Sequence, residues 1–434
     1  MLTPGQGMGV RGAVNEICGL NLLCLRSGSP AAALRRVRAQ LLSSAGILSP
    51  IAMNPKSVSP DKTTPRRVLI VLFGAIGDVV RAMPLLGRLR RAWPQTHIAW
   101  AVEPKSAPLL DGHPWLDEAI VFERSRAPWS VGDFVRRLRA RRFDLVLDLQ
   151  RHLKSGVVSL LTGAPARLGF SRANAKELNH LFSNRWISPQ PPMRLKLLQF
   201  QSFADALGLD PAPIEFGLQA TRAQAVRAEE LLAGAPRPLL GVILGSSWPS
   251  RFYFPEAVGE VVRSLSERAD GAEPLFPVLL GGPHEADFAA QVTAHLDGKP
   301  VLNLVNRTTL RDLVAIFERC AVAFGPDSGP MHIAAAVGCP VVSLWGATAP
   351  QRSAPWGYAQ FALAGEIPCH PCYLRNCPVG RQCMRRIAPE QVAAMIRAAL
   401  SAKTAGGAVG TSGVAAAGAG ERPYDTLALA RSGS

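Results

Sequence analysis

The sequence has no hydrophobic run long enough to span a membrane. Its longest apolar runs, such as Val68–Phe73, fall far short of the roughly 18 residues that a transmembrane helix needs. With 48% hydrophobic and 18% charged residues among 434, the chain can still bury the cores of two domains of ordinary size. The sequence therefore predicts a two-domain protein without a transmembrane segment.

The usual marks of nucleic-acid binding are also missing. The sequence has no zinc-finger spacing with paired histidines, no heptad zipper and no aromatic strand of the kind that stacks on RNA bases. The net charge of +16, most of it between residues 66 and 401, must therefore attract other anions. Phosphorylated sugars or an anionic membrane surface fit this charge, and no nucleic-acid partner is expected.

No basic segment followed by an apolar core marks a signal peptide after Met1. A reducing cytoplasm is therefore the expected compartment. Residues 1–65 show no sustained hydrophobic period, which predicts a disordered extension or an incorrectly assigned start, with Met53 as the true one. Residues 402–434 are rich in Gly, Ala and Ser, which predicts a disordered tail.

Between these ends, predicted strands and helices alternate. Continuous apolar runs predict buried parallel strands at Arg67–Phe73 and Phe143–Leu149, and the alternation restarts at Leu239–Leu244 after a proline-containing stretch. Two such runs indicate an α/β protein with two doubly wound, Rossmann-like domains facing a cleft. The predicted domains are residues 66–225 and residues 236–401.

A glycine-containing turn, Phe73–Asp78 (FGAIGD), follows the first strand and precedes a helix predicted over Val79–Trp93. Gly74 and Gly77 allow a ligand to approach the backbone, although the third glycine of the dinucleotide-binding fingerprint is missing. Asp78 stands at the predicted helix start, where an aspartate commonly caps backbone N–H groups. The same position keeps a carboxylate ionised, so it could accept a proton from an acceptor hydroxyl. The two interpretations are compatible.

A second turn, Gly325–Gly329, follows a strand that is predicted to end at Phe324. Backbone N–H groups at the start of the next helix form an anion site suited to a diphosphate. Ser328 adds a hydroxyl donor, Asp327 can accept from sugar or ribose hydroxyls, and His332 could point back to a phosphate. Plain helix capping by the turn and a histidine without a ligand are the alternative interpretations.

These two turns resemble the signatures of glycosyltransferase family 9, the lipopolysaccharide heptosyltransferases. Arg67–Leu86 (RVLIVLFGAIGDVVRAMPLL) is similar to the family's opening, and Ala323–Ala336 (AFGPDSGPMHIAAA) is similar to its second signature. The resemblance covers about residues 66–400. It implies the GT-B fold, with the acceptor bound by the first domain and the nucleotide sugar bound by the second.

The resemblance also implies an activity. The expected enzyme is inverting and metal-independent, and it transfers heptose from ADP-heptose to the Kdo- and heptose-bearing lipid A core of lipopolysaccharide. It would act in the cytoplasm, peripherally at the anionic inner face of the bacterial inner membrane. No cofactor is expected apart from the donor substrate, and the absence of an Asp-x-Asp motif agrees with a metal-independent transferase.

Individual residues receive roles from the same resemblance. Asp78 corresponds to the family's proposed general base. Arg251 stands where the family has a lysine, a departure that keeps the charge on a bulkier group; a solvated surface arginine is the alternative. The expected donor-side residues are Ser246, Ser247, Arg251, Glu285, Thr308, Asp327, Ser328, Gly329 and His332. The expected acceptor-side residues are Gly74, Gly77, Arg151 and Lys154.

Four of the eight cysteines lie close together in the sequence, at Cys369, Cys372, Cys377 and Cys383. Four thiols can close a tetrahedral zinc site, but these spacings are not those of a standard zinc ribbon. A reduced or locally cross-linked structural loop is the favoured interpretation, and a structural metal is the alternative.

Three other functions remain open from the residues. The chain could transfer another nucleotide-activated sugar to a cell-surface glycan, or it could be a two-domain nucleotide-sugar epimerase that needs no acceptor. It could also be a sugar-nucleotide-binding protein without chemistry, although the presence of both Asp78 and Asp327 argues against that.

Overall fold

The computed structural model describes residues 64–123, 129–268 and 273–404 of the chain. Most of the extension predicted at residues 1–65 lies outside the described residues, which include only 64–65 of it. The same holds for the tail predicted at 402–434, of which only 402–404 are described. Among the described residues, no helix combines the length and the apolar character needed to cross a membrane.

The chain forms two compact units whose segments interleave along the sequence. Within the described residues, the first unit contains residues 64–74, Leu89–Gln190 and Ser202–Leu209. The second contains Ala75–Arg88, Pro191–Gln201 and residues 210–404. The continuous boundaries predicted from the sequence, 66–225 and 236–401, stay a prediction.

The first unit is built on a six-stranded parallel sheet. Its strands are β1 (Arg67–Val71), β2 (His97–Val102), β3 (Glu118–Val121), β4 (Leu145–Asp148), β5 (Ala166–Gly169) and β6 (Arg185–Trp186). They lie in the order β3-β2-β1-β4-β5-β6. The helices along this part of the chain are α1 (Ile76–Ala92), α2 (Trp129–Ala140) and α3 (Leu153–Leu161).

The core of the first unit forms on one face of β1. Leu69 and Val71 are fully buried there, as expected for a central strand covered on both faces. Three aromatic rings complete this core: the Phe73 and Phe122 ring centroids lie 5.3 Å apart, and those of Phe122 and Phe134 lie 4.7 Å apart. The core therefore fixes the end of β1, from which the chain enters the first glycine-containing turn.

The second unit is built on another six-stranded parallel sheet, preceded by α4 (Lys196–Ala206) and α5 (Arg222–Leu231). Its strands are β7 (Leu239–Ile243), β8 (Phe276–Leu280), β9 (Leu302–Asn303), β10 (Cys320–Pro326), β11 (Val341–Trp345) and β12 (Ala362–Ala364). They lie in the order β12-β11-β10-β7-β8-β9. The helices are α6 (Pro255–Ser266), α7 (Ala286–Ala294), α8 (Leu310–Phe317), α9 (Gly329–Ala336), α10 (Pro350–Ser353), α11 (Gln382–Arg385) and α12 (Pro389–Thr404).

The structure differs from the predicted elements at both glycine-containing turns. The first helix begins at Ile76, three residues before the predicted start, and β10 continues through Pro326, two residues past the predicted end. The predicted loop Gly325–Gly329 is therefore reduced to Asp327 and Ser328. Pairing with β11 explains the longer strand, because Gly325 and Pro326 lie in register with residues of β11.

Asp148, the last residue of β4, is a fully buried carboxylate. It accepts hydrogen bonds from the Asn179 side-chain amide at 2.8 Å and from the Gln150 N–H at 3.0 Å. Burial nevertheless raises the pKa of Asp148 to about 6, because removing a carboxylate from water disfavours its charged form.

Replacing Asp148 by Asn should change how stability depends on pH. The folded pKa of about 6 lies above the ordinary 3.8, so this group favours folding fully at low pH and loses that contribution as pH rises through 6. The free energy of unfolding of the wild type, relative to D148N, should increase by about 1–3 kcal/mol between about pH 7.5 and pH 4.5. Urea denaturation across that range measures it, and a pH-independent difference would contradict the buried titration.

Candidate active site

Asp78 is the third residue of α1. The N–H groups of Asp78 and Val79 both donate to the Ala75 carbonyl, at 2.9 and 3.0 Å. Ala75, rather than Asp78, therefore occupies the N-cap position. The Asp78 carboxylate keeps the favourable environment of a helix N-terminus and is available to bind side chains from other elements.

Two cations bind the Asp78 carboxylate. Arg81 Nη2 donates to Oδ1 at 2.6 Å, and Lys196 Nζ, at the start of α4, lies 2.9 Å from Oδ1 and 3.1 Å from Oδ2. Burial alone would raise the pKa of Asp78, but the charges and hydrogen bonds of Lys196 and Arg81 outweigh it and hold this pKa well below its ordinary value. Asp78 is therefore ionised at neutral pH.

Arg81 also contacts His332 of α9, since Arg81 Nη1 lies 2.6 Å from His332 Nε2. A guanidinium only donates, so Nε2 accepts and the proton of the neutral ring must lie on Nδ1. Burial and the adjacent Arg81 charge hold the pKa of His332 well below its ordinary value. His332 is therefore a neutral imidazole with Nδ1–H as its remaining donor.

Two glycines allow the starts of α1 and α9 to approach each other. A Cβ atom on Gly77 would lie 2.7 Å from His332 Cδ2, and one on Gly329 would lie 2.7 Å from Ile76 Cγ2. Both distances are shorter than van der Waals contact allows. The structure therefore brings Gly77 and Asp78 together with Gly329 and His332 within the second unit.

Asp327 occupies the short turn between β10 and α9 and is held from three sides. Its Oδ2 accepts from Thr348 Oγ1 at 2.7 Å and pairs with Arg251 Nη1 at 3.1 Å. Its carbonyl accepts from Ser246 Oγ at 2.7 Å. The Arg251 guanidinium also lies 4.2 Å from the centroid of the Trp248 ring. Arg251 is thus an ordered residue of the site rather than a solvated surface arginine.

Ser328 is the N-cap residue of α9. Its Oγ is buried and has no hydrogen-bond partner in the described part of the chain. A buried hydroxyl beside the N–H groups of a helix start is a suitable donor to a phosphate oxygen. Gly325, just before this turn, lets β10 lie close to β7, because a Cβ atom there would be 2.3 Å from the Ile243 carbonyl oxygen.

The remaining donor-side residues lie on neighbouring loops of the second sheet. Glu285 lies against the loop after β7, since a Cβ atom on Gly245 would fall 2.3 Å from Glu285 Cδ. Its Oε2 accepts from the Gly282 N–H at 2.7 Å. Ser247 is exposed on the loop after β7, and Thr308 precedes α8. All three belong to the second unit, as Asp327 does.

The expected acceptor-side residues Gly74, Arg151 and Lys154 belong to the first unit. Lys154 Nζ pairs with Glu103 Oε1 at 2.9 Å and lies 4.7 Å from the Phe73 ring centroid. The Arg151 guanidinium lies 4.3 Å from the centroid of the Phe170 ring. The backbone of Arg151 is left-handed, with φ 76°, a conformation that costs energy in a residue with a Cβ atom.

Sequence reasoning missed three residues of the site, Arg81, Lys196 and Thr348. The spacing of Arg81 from Asp78 is a signal, because residues i and i+3 of a helix are neighbours. Lys196 is 118 positions from Asp78, in a stretch without a predicted helix, and only the fold reveals it. Thr348 follows β11, beyond the second signature Ala323–Ala336, and was assigned no role.

The four clustered cysteines are all free thiols, with Cys383 buried and Cys369 exposed. Cys377 Sγ accepts from the Arg381 N–H at 3.2 Å. Burial and the neighbouring thiols raise the pKa of Cys383, which favours its protonated form. Within the described ranges, no group of three or more His, Cys, Asp or Glu side chains is placed to hold a metal ion.

The sequence model of glycosyltransferase family 9 (heptosyltransferase) matches residues 131–382, more than half of the chain. The chain belongs to glycosyltransferase family 9. It is therefore a glycosyltransferase, as the two turns predicted, and the family assignment made from those turns is confirmed. The matched range includes Arg251, Asp327 and His332 and begins after Asp78.

Two curated relatives extend the match. The chain is 25% identical over 295 residues to the lipopolysaccharide core heptosyltransferase OpsX of Haemophilus influenzae, covering 67% of this chain and 82% of the relative. It is 29% identical over 366 residues to lipopolysaccharide heptosyltransferase 1 of Pseudomonas aeruginosa, covering 77% of this chain and 98% of the relative.

The fold is shared with a solved member of the family. The structure of Escherichia coli ADP-heptose lipopolysaccharide heptosyltransferase II matches with a TM-score of 0.62 at 21% identity, covering 78% of this chain and 99% of that one. With two parallel six-stranded sheets, this match confirms the predicted fold class of two Rossmann-like α/β domains, the GT-B fold.

Replacing Gly77 by Ala should destabilise the protein. The added methyl group would overlap the His332 ring, and overpacking of this kind costs about 1–3 kcal/mol. Gly132, inside α2, is the matched control, because a Cβ atom there meets nothing within 4 Å. G132A should be neutral or more stable by up to about 1 kcal/mol. Equal effects of G77A and G132A on urea denaturation would contradict the close approach.

Proposed function

We propose that this glycosyltransferase transfers heptose from ADP-heptose to the inner core of lipopolysaccharide, with inversion at the anomeric carbon. The relatives described above support the substrates, since one is a lipopolysaccharide core heptosyltransferase and another a lipopolysaccharide heptosyltransferase. The solved structure described above is named as an ADP-heptose enzyme. The observation that carries the proposal is the contact of Arg81 with both Asp78 and His332. Through these two contacts, Arg81 links the helices that follow the two signature turns into one group of side chains.

The donor diphosphate would bind at the start of α9. The N–H groups near Gly329, the buried hydroxyl of Ser328 and the Nδ1–H of His332 supply neutral donors, and Arg251 supplies a positive charge. Thr348 and Arg251 orient the carboxylate of Asp327, whose role would be to accept hydrogen bonds from the sugar. Glu285, with Ser247 and Thr308 on adjacent loops, would contact the nucleoside side of the donor.

Asp78 would act as the general base. In the reaction, the acceptor hydroxyl gives its proton to the Asp78 carboxylate as its oxygen forms a bond to the anomeric carbon of heptose. The bond from that carbon to the diphosphate oxygen breaks, and the electron pair leaves with the ADP. Arg251 and the donors at the start of α9 stabilise the charge that develops on this leaving group.

The acceptor would bind on the side of the first unit. Arg151 and Lys154 are cations at the carboxyl end of its sheet, with Gly74 at the end of the central strand, and they suit an acceptor that carries carboxylates or phosphates. The net charge of +16 suits an anionic membrane surface. We propose that the enzyme works in the cytoplasm, peripherally at the inner face of the inner membrane, with ADP-heptose as substrate and no metal.

A donor screen tests the proposed substrate. With a deacylated Kdo-bearing core acceptor, ADP-heptose should support product formation, whereas UDP- and GDP-linked sugars should give a kcat/KM lower by at least about 10²-fold. Nucleotide release should require the acceptor, because the reaction is a transfer. Mass spectrometry of the product and an assay for free nucleotide measure both. Modification of the donor without acceptor would instead indicate an epimerase.

Replacing Asp78 by Asn should lower kcat by about 10²–10⁴-fold, because a positioned general base contributes this much. The KM for ADP-heptose should change little, since the donor contacts lie on other residues. Asp312→Asn is a matched control, because Asp312 also lies in the first turn of a helix and bonds Thr309 in its capping box. D78N with wild-type kcat would remove Asp78 from the mechanism.

A further inference from the structure

The charges around Asp78 come from four different elements. Arg81 lies on α1 itself, Lys196 begins α4, Arg251 follows β7, and His332 belongs to α9; each interacts electrostatically with the Asp78 carboxylate. His332 is neutral, so three cations face one carboxylate. A carboxylate in such surroundings gives up a proton readily and accepts one poorly. A general base at Asp78 therefore depends on how these cations are placed.

The two direct partners hold the carboxylate differently. Arg81 reaches only Oδ1, and its other amino group is committed to His332. Lys196 contacts both Oδ1 and Oδ2. Arg81 therefore makes no contact with Oδ2, whereas Lys196 does. The position of Lys196 thus influences both the orientation of the carboxylate and the charge near Oδ2.

Solvent reaches both partners of this pair. The Lys196 side chain is 25% exposed and that of Asp78 is 20% exposed, while Arg81 and His332 are almost fully buried. Burial, together with the Arg81 and Arg352 charges, lowers the pKa of Lys196 in spite of Asp78. Of the two cations on Asp78, the lysine is thus the one that a substrate can approach and move.

We propose that Lys196 is the positioning residue of the candidate base: its ammonium group holds the Asp78 carboxylate ionised and turned so that Oδ2 faces the acceptor hydroxyl. This inference rests on the proposed function, since it assigns Asp78 the role of base. Lys196 acts through Asp78 and need not touch the reacting atoms.

The reaction then has a defined sequence at this pair. Lys196 shares Oδ2 while the site is empty. When the acceptor hydroxyl hydrogen-bonds to Oδ2, an anionic group of the same substrate can take over the ammonium group, and the proton affinity of the carboxylate rises as the cation leaves. The ion pair thereby couples acceptor binding to the basicity of Asp78.

The pH dependence of Lys196→Met tests the role directly. Without the ammonium group, fewer favourable charges offset burial and the pKa of Asp78 should rise, since loss of an opposite charge at this distance moves a carboxyl by about 1–3 pH units. The acidic limb of the kcat/KM profile should therefore move upward by about one pH unit or more. Lys196→Arg keeps a cation and should keep the limb of the wild type.

Lys299→Met is the matched control, because Lys299 pairs with Glu267 at 3.1 Å on residues that take no part in the site. It should leave the profile unchanged. If K196M lowered kcat/KM by the same factor at every pH, Lys196 would be a structural residue only and the inference would be overturned.

A measurement without substrate separates this inference from the proposed function. In the wild type the lowered pKa of Asp78 stabilises the fold above its unfolded pKa, a contribution that is lost as pH falls. In K196M the pKa is higher, so the stability deficit of K196M relative to the wild type should shrink as pH falls below about 4.5, where the carboxyl of the variant takes up its proton before that of the wild type does. Urea denaturation of wild type, K196M and K196R measures it.

The two failures then look different. Suppose that the wild type transfers no heptose but the stability deficit of K196M shrinks on acidification. The effect of Lys196 on the pKa of Asp78 is then supported, and the proposed substrates are wrong. Suppose instead that heptose transfer is found, but neither the kcat/KM profile nor the stability deficit of K196M depends on pH as expected. The proposed function is then supported, and the inferred role of Lys196 is wrong.

Discussion

The guanidinium of Arg81 joins the helices that follow the two signature turns, with 2.6 Å contacts to Asp78 and to His332, which is 251 positions away in the chain. Because a guanidinium is a donor in both contacts, one side chain helps Lys196 to keep a carboxylate ionised and also sets the tautomer of an imidazole. The other contacts of the site depend on this arrangement. Nε2 of His332 accepts from Arg81, so the donor of this ring is Nδ1–H. The Asp78 carboxylate stays ionised at its helix start because Lys196 and Arg81 offset its burial.

The close approach of these groups has a steric condition, which Gly77 and Gly329 meet. A side chain at either position would push α1 and α9 apart by overlapping His332 or Ile76, and Arg81 would no longer reach across. Glycine costs backbone entropy in a helix, and both residues lie within the first turns of theirs. That cost is tolerated where backbones must nearly touch. The glycines in the two signature turns thus allow the two helices to make contact.

The sequence made much of the fold predictable, because both sheets are parallel and their central strands are continuous apolar runs such as Val68–Val71. Asp78 and Asp327 were predicted as site residues for a related reason, since each follows a buried strand and such side chains lie at the carboxyl edge of their own sheet. The stretch from Leu153 to Ala206 was not predicted. Its strands are as short as two residues and α4 has little amphipathic character, so its hydrophobic pattern gives no period. Lys196 was missed with it.

Arg251 shows how a departure from a family pattern can be built into a site. An arginine is planar and can stack and hydrogen-bond at the same time, whereas a lysine offers a single flexible ammonium group. Here the guanidinium lies 4.2 Å from the Trp248 ring centroid and 3.1 Å from Asp327 Oδ2. The contacts with Trp248 and Asp327 fix the orientation of the guanidinium. The Arg251 side chain would therefore lose less conformational freedom on binding a diphosphate. The arginine is therefore a preorganised cation whose position depends on Asp327. In the proposed mechanism, the charge that would meet the leaving group and the carboxylate that would orient the sugar thus depend on one ion pair.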